Sequence, residues 1–380
     1  MTARRTIPIG IFIALLATAC GADRAERGAA PAARPPAIFT VGKSLFGMPG
    51  HARASLAAAP VTPLGGWLTP AAVPSPDGRF VAYNTWRELR EDDPALSWED
   101  QGISRGDPLA TPSIRLHDLE TGADEPYAVG AFSVAWRADG AIAYFKGARR
   151  DYRAGVPYVG HILVRASIRG TARRWTETTD RYIVAGWAGS TLLAYREHEG
   201  EALDLVALDG PGEVRVLAAN VGLVAISPDG TQALVEHGPE SGPPRVDLIG
   251  VGNGTQLASL DLTTVDPAVG VVSYAGDWED DLVVAPATAG LAVFRISGRH
   301  IALVRTVRVT GGGVAEPRFE SGSRLTAWTS SAAGGAFVDC DRVTGRCGRA
   351  VPLPTARGVN RYPTWRRPVY NPSRPQEGEQ

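Results

Sequence analysis

One short phrase returns along this chain about every 45 residues, and it limits the fold more than any other feature. Val73-Pro74-Ser75-Pro76-Asp77-Gly78-Arg79-Phe80-Val81-Ala82-Tyr83 is its cleanest copy. Val134-Ala135-Trp136-Arg137-Ala138-Asp139-Gly140-Ala141-Ile142-Ala143-Tyr144 repeats it, as does Val224-Ala225-Ile226-Ser227-Pro228-Asp229-Gly230-Thr231-Gln232-Ala233-Leu234. Pro presets φ at the first turn position, Asp bonds its own backbone, and Gly takes positive φ without steric cost. On either side apolar residues alternate with small or polar ones, the period of a half-buried strand. The phrase therefore predicts strand, tight turn, strand.

Weaker copies fill the remaining intervals: Val184 to Tyr195, Val272-Ser273-Tyr274 leading to Leu282-Val283-Val284, Pro317 to Trp328, and a half copy at Pro363-Thr364-Trp365. Their equivalent positions are 74, 136, 187, 226, 274, 319 and 365. Most intervals match the roughly 40–50 residues that four antiparallel strands with short turns occupy. One is longer, and its excess lies between residues 86 and 112. A second phrase follows later in some repeats, as Asp118-Leu119-Glu120-Thr121-Gly122 and Asp341-Arg342-Val343-Thr344-Gly345, with Asn253-Gly254-Thr255 a looser equivalent. It predicts the turn between third and fourth strands. The expected fold class is all-β, a β-propeller of four-stranded antiparallel blades.

Residues 37–68 also need a place, with Ala37-Ile38-Phe39-Thr40-Val41 reading as a strand. Pairing N-terminal strands with a lone strand at Tyr362–Trp365 would close the ring and remove exposed edges. Six intact repeats plus that composite blade predict seven blades, with six as the competing count.

The Ser-Pro-Asp-Gly turn, with an apolar strand before it and a Val-Ala-Tyr strand after it, resembles the repeats of TolB-like β-propellers across roughly residues 65 to 367. The resemblance implies a periplasmic or surface-exposed propeller that binds proteins. It extends to the propeller domains of some peptidases, whose separate hydrolase domain carries a Gly-x-Ser-x-Gly elbow that this chain lacks.

At the N-terminus, Arg4-Arg5 precede an apolar run from Ile7 to Ala19, and Cys20 follows. This is the layout of an export signal, too short for a stable membrane span. Leu16-Ala17-Thr18-Ala19-Cys20 resembles a bacterial lipobox, with Ala17 where Leu is usual. The expected organisation is a lipoprotein signal peptide at 1–19, a disordered tether at 20–36, one propeller domain at 37–367 and a disordered tail at 368–380. Lipidation falls on Cys20 and places the chain outside the cytoplasm, on the outer face of the cell membrane. An unlipidated, secreted protein is the alternative.

Of the three cysteines, Cys340 and Cys347 remain as an even pair flanking a hairpin turn, positioned for a disulfide in an oxidising compartment. A metal site there lacks a neighbouring His or Cys. The formal net charge is −1, from 39 basic and 40 acidic side chains. Nothing forms a basic stripe, which argues against nucleic-acid binding.

The six histidines at 51, 117, 161, 198, 237 and 300 are scattered singly and show no metal-ligand spacing. His117 reads as a strand residue, while His198 and His237 follow second strands and could face a loop. Glu279-Asp280-Asp281 reads as a lengthened, solvated turn. No catalytic residue, cofactor or metal is predicted.

The insertion from Trp86 to Pro112, read as an extended loop between second and third strands, is the strongest functional pointer. Gly147 to Tyr158 occupies the equivalent connection in the next repeat. Trp86, Arg87, Arg90, Trp98, Arg149, Arg150 and Tyr152 would share one rim, a mixture enriched at protein-recognition sites. The expected function is a monomeric, non-catalytic binding or scaffold module with a protein or peptide partner at the cell envelope. A propeller enzyme of lactonase or lyase type, with a metal or polar cluster in its channel, is the competing class. A carbohydrate-binding surface protein is the third.

Overall fold

Each complete repeat folds as a four-stranded antiparallel sheet in which the strands pair in chain order. The computed structural model describes residues 38–41, 43–47, 51–58, 60, 72–89, 109–148, 159–176, 182–197, 203–237, 243–266, 269, 276–310, 313–320, 322–331 and 334–352. Blade 1 contains β4 (Ala72–Pro74), β5 (Phe80–Leu89), β6 (Leu109–Asp118) and β7 (Asp124–Val129). Blade 2 contains β8 (Ala131–Trp136), β9 (Ile142–Ala148), β10 (Val159–Arg165) and β11 (Arg173–Arg174). Blade 3 follows with β12 (Tyr182–Ala188), β13 (Thr191–Glu197), β14 (Leu203–Gly210) and β15 (Glu213–Ala219). Blade 4 has β16 (Val221–Ile226), β17 (Gln232–His237), β18 (Arg245–Gly250) and β19 (Gln256–Asp261), then a one-turn helix α1 (Leu262–Val265). Blade 5 has β20 (Asp277–Glu279), β21 (Leu282–Ala287), β22 (Gly290–Ser297) and β23 (His300–Arg308). Blade 6 has β24 (Gly313–Phe319), β25 (Arg324–Ser331), β26 (Gly334–Asp341) and β27 (Val351–Pro352).

The described residues thus form a β-propeller arrangement of six blades, which corrects the expectation of seven. The N-terminal strands β1 (Ile38–Val41), β2 (Ser44–Gly47) and β3 (His51–Ser55) make a three-stranded sheet of their own instead of entering a four-stranded blade. Leu56, at the end of that sheet, buries itself with Ala72, Val81 and Tyr83 of blade 1. The expected closing strand at Tyr362–Trp365 lies outside the described residues.

The turns show why their sequence repeats. In blade 1, Ser75 Oγ accepts from the Phe80 amide at 2.9 Å and donates to Asp77 at 2.5 Å, while Asp77 Oδ1 accepts from the Arg79 amide at 3.0 Å. In blade 4, Ser227 Oγ accepts from Gln232 at 2.9 Å and donates to Asp229 at 2.6 Å, and Asp229 accepts from Thr231 at 3.0 Å. Each such bond gives the turn a partner that water would otherwise supply. The second phrase works alike. Asp118 accepts from Glu120 and Thr121, and Asp341 from Val343 and Thr344, each turn closing on a glycine at positive φ. Gly254 shares that conformation, so Asn253-Gly254-Thr255 is a third version.

Apolar packing holds neighbouring blades together. First strands are almost wholly buried, whereas fourth strands are mostly half-buried or exposed. One apolar cluster joins blades 3 and 4 through Ile183, Leu205, Leu223 and Ile249; another joins blades 4 and 5 through Leu234, Leu248, Val283 and Phe294. Each fully buried Leu, Ile, Val or Phe contributes about 1.5–3 kcal/mol. The repeat's tryptophan adds a directional tie to the preceding blade. Trp136 Nε1 donates to the Val73 carbonyl at 3.2 Å, and Trp187 Nε1 to the Ala135 carbonyl at 3.3 Å.

Two local readings change. The expected first strand of blade 5 at Val272–Tyr274 lies outside the described residues, and the strand observed is Asp277–Glu279, with Trp278 buried. The acidic run is not a lengthened turn: Asp280 and Asp281 alone connect β20 to β21, with Asp280 at φ 50. In blade 6 the predicted disulfide is present, bridging Cys340 and Cys347 with a Cα–Cα distance of 3.9 Å.

Candidate functional site

The connections between second and third strands all leave the same end of their blades, opposite the Asp-Gly turns. In blade 1 this connection spans residues 90–108 and in blade 2 residues 149–158, while in blade 5 only Thr288 and Ala289 separate β21 from β22. Blades 1 and 2 therefore carry the longest connections on that rim.

The blade 1 insertion is partly ladder and not wholly loop. β5 and β6 continue to pair through Trp86↔Pro112, Arg87↔Thr111, Glu88↔Ala110 and Leu89↔Leu109. Both are ten-residue strands, against six in β17 and β18 of blade 4. The result is a two-stranded ribbon extending the blade on the connection side. Trp86 and Arg87 belong to this ribbon, whereas Arg90, Trp98, Arg149, Arg150 and Tyr152 lie outside the described residues. Gly147 and Ala148 likewise extend β9, paired with Gly160 and Val159.

A polar network occupies the lower part of the same blade. Tyr83 and Arg115 face each other across β5 and β6, as His117 and Asp124 do across β6 and β7. Asp124 accepts from Arg115 Nε at 2.7 Å, from the Tyr83 hydroxyl at 2.8 Å and from the Ala57 amide at 2.9 Å. Ala57 follows the N-terminal sheet, so this carboxylate ties that sheet to blade 1. Burial pushes the Asp124 carboxyl up, but the Ala57 amide, Arg115 and Tyr83 outweigh it and hold it below the usual range. Burial, reinforced by Asp124, raises the Tyr83 phenol. His117 is 2% exposed, with Nδ1 3.4 Å from Asp124 and no hydrogen bond to either ring nitrogen among the described residues.

Blade 4 carries a second network. His237 Nε2 lies 2.7 Å from Asp247 Oδ2, Arg245 Nη2 lies 3.1 Å from His237 Nδ1, and Ser259 Oγ donates to Asp247 at 2.6 Å. Burial raises the Asp247 carboxyl, while His237 and Ser259 more than reverse it and leave it lowered. Ser259 points at the carboxylate and not at the imidazole, so the trio lacks the nucleophile-to-base contact of a hydrolytic triad.

The other histidines are dispersed. His161 Nδ1 lies 3.0 Å from the Thr176 carbonyl, His300 opens β23 on the surface, His51 belongs to β3, and His198 lies outside the described residues. His117 is the strand residue expected, and His237 is the last residue of β17. Among the described residues no three His, Cys, Asp or Glu side chains group as a metal site. Both polar networks escaped the sequence reading because each joins strands whose register the sequence does not state. Their only trace is polar residues at alternate positions, Arg115 with His117 and Arg245 with Asp247.

The fold defines a β-propeller, and solved propellers share it. A prolyl endopeptidase structure is similar with a TM-score of 0.53 and 16% identity, covering 86% of this chain and 50% of that one. TolB from Acinetobacter baumannii is similar with a TM-score of 0.42 and 11% identity, covering 83% of this chain and 64% of that one. The putative TolB from Agrobacterium tumefaciens matches with a TM-score of 0.41, 13% identity, and coverage of 62% and 87%. This chain thus spans about half the length of the endopeptidase and less than two thirds of the first TolB. No protein-family model and no curated protein sequence matches it.

Proposed function

We propose that this chain is a non-catalytic, extracytoplasmic, lipid-anchored propeller that binds a protein or peptide partner on the rim formed by blades 1 and 2. The observation that carries the reading is the ribbon of β5 and β6, which continues its ladder to Leu89↔Leu109 beside the lengthened β9–β10 hairpin. A paired ribbon presents Trp86 and Arg87 on regular backbone, which lowers the ordering cost of binding relative to a free loop. The anchor belongs to the same reading through Cys20, as does closure of the ring by pairing of terminal strands.

Photo-crosslinking from Trp86, Arg87 and Arg90 in cells tests the rim, with Glu213 and Asp229 as controls on the opposite turns. A discrete crosslinked protein from the rim positions alone is expected. No crosslink, or equal crosslinking from both sets, overturns the rim. The anchor is tested separately by the intact mass of the N-terminal peptide, where a diacylglyceryl-modified Cys20 is expected and an unmodified one overturns it.

A further inference from the structure

The junction of blades 5 and 6 collects arginines that have no acidic partner among the described residues. The Arg305 side chain lies against the turn of blade 6: a Cβ on Gly345 would meet its Nη1 at 3.2 Å and its Cδ at 3.3 Å. Arg346 follows that glycine directly, and Cys347 Sγ lies 3.5 Å from the Arg308 carbonyl oxygen. Arg349 comes two residues later. Arg305, Arg308, Arg346 and Arg349 are all exposed, and none forms an ion pair among the described residues. The neighbouring carboxylates are already engaged. Asp339 holds Arg324 at 2.9 Å and Thr326 at 2.6 Å, while Asp341 takes Ser323 and the amides of its own turn. In a chain of net charge −1, this is a local surplus of positive charge.

Exposed apolar side chains neighbour these arginines along the chain. Val343, at the head of the turn between Arg342 and Arg346, is 64% exposed, and Val351 is 56% exposed. Val304, beside Arg305, is 45% exposed. Arginines alone would suit any polyanion. Exposed aliphatic side chains between them suit a surface with anionic headgroups over hydrocarbon, where each part of the patch finds its own partner.

The geometry points to this junction as a docking surface for an anionic phospholipid bilayer. The patch is separate from the blade 1 and 2 rim and stands whether or not that rim binds a protein. Each arginine near such a surface strengthens partition about five-fold, so removing three weakens it about 100-fold.

The test is co-sedimentation of the full chain with vesicles of phosphatidylcholine alone or doped with phosphatidylglycerol, across a salt series. The N-terminal segment is identical in every variant, so the phosphatidylglycerol-dependent increment isolates the patch. Wild type is expected to show that increment and lose it in high salt. The R305Q/R346Q/R349Q variant is expected to lose about 100-fold of it, while R169Q/R173Q/R174Q, an equal charge change at exposed positions of blade 2, keeps it. Val343→Ser is expected to weaken vesicle binding without altering binding to soluble polyphosphate. The proposal is overturned if the first triple variant keeps the increment, if the blade 2 variant loses as much, or if soluble polyphosphate binds as tightly as the doped vesicles.

Discussion

Two glycines at the same place in the repeat carry different loads, and one substitution made at both separates local from inter-blade constraint. Gly140 and Gly230 each close an Asp-Gly turn, with φ of +86 and +72, and their amides donate to Arg137 and Ser227 carbonyls at 2.9 Å. A Cβ on Gly140 meets nothing within 4 Å, so Gly140→Ala costs only the left-handed backbone, about 1–2 kcal/mol. Part of that is offset by the lower entropy of the unfolded alanine chain, about 0.4–1 kcal/mol. A Cβ on Gly230 would stand 2.4 Å from Gly189 N and 2.6 Å from the Ala188 carbonyl carbon, both backbone atoms of blade 3. Neither atom can rotate away, so the blades must part, and overpacking of that kind adds about 1–3 kcal/mol. Urea denaturation followed by tryptophan fluorescence should place Gly230→Ala about 2 kcal/mol below Gly140→Ala. Equal shifts in the two variants would refute the claim that the blade 4 turn is wedged on blade 3.

Asp124→Asn should loosen the N-terminal sheet by about 1.5–3 kcal/mol, the worth of bonds to a charged group; faster hydrogen exchange at Ala57 and Ala58, with blades 3 and 4 unchanged, is the expected result. The replacement C340S/C347S should cost about 2–3 kcal/mol for so short a closed loop, and added reductant should reproduce the same loss in wild type but not in the variant. Asp118 is held at about 2, chiefly by Arg79, and Asp341 at about 2, chiefly by Ser323. Their folded-state values lie below the unfolded value of about 3.9, so their stabilisation is complete above that pH and is lost as pH falls towards about 2. Acid titration by circular dichroism should show that loss in wild type, and Asp118→Asn should remove its own share of the dependence.

The parts of the fold that were legible are those whose bonds close within a few residues. Ser75, Asp77 and Gly78 satisfy one another across a single turn, as Asp341, Thr344 and Gly345 do, so the chemistry leaves a contiguous signature. The Cys340–Cys347 bridge spans such a turn as well. The first strand of blade 5, Asp277–Glu279, was not legible because its turn contains no Pro or Gly: Asp280 takes positive φ itself, and the phrase loses its punctuation. Blade number was misread because it depends on which strand pairs with β1–β3, a long-range choice with no local marker. The same holds for Tyr83, Arg115 and Asp124, which meet only once β5, β6 and β7 are in register. Ladder and loop were confused at Trp86–Leu89 because polar and aromatic residues continue a ribbon as readily as they fill a connection.

The two ends of the blades divide this labour. On the turn side, the connections lock onto each other: the Leu119 amide donates to Arg79 at 2.8 Å, Val251 to Thr231 at 2.9 Å and Arg342 to Ser323 at 2.7 Å. A residue inserted there would break both an inter-turn bond and the Asx geometry beneath it. On the other side the bonds between connections fall at unlike positions, the Leu262 amide donating to Pro244 at 3.0 Å and Thr288 to Val269 at 3.1 Å, and closing a longer loop costs only about 0.6 kcal/mol for each doubling of its length. Length can therefore accumulate between second and third strands without unsettling the blades, as it has in blades 1 and 2. The turn side resists change for the same reason that it was readable in the sequence, whereas the opposite rim is free to be specialised and for that reason leaves no repeated signature.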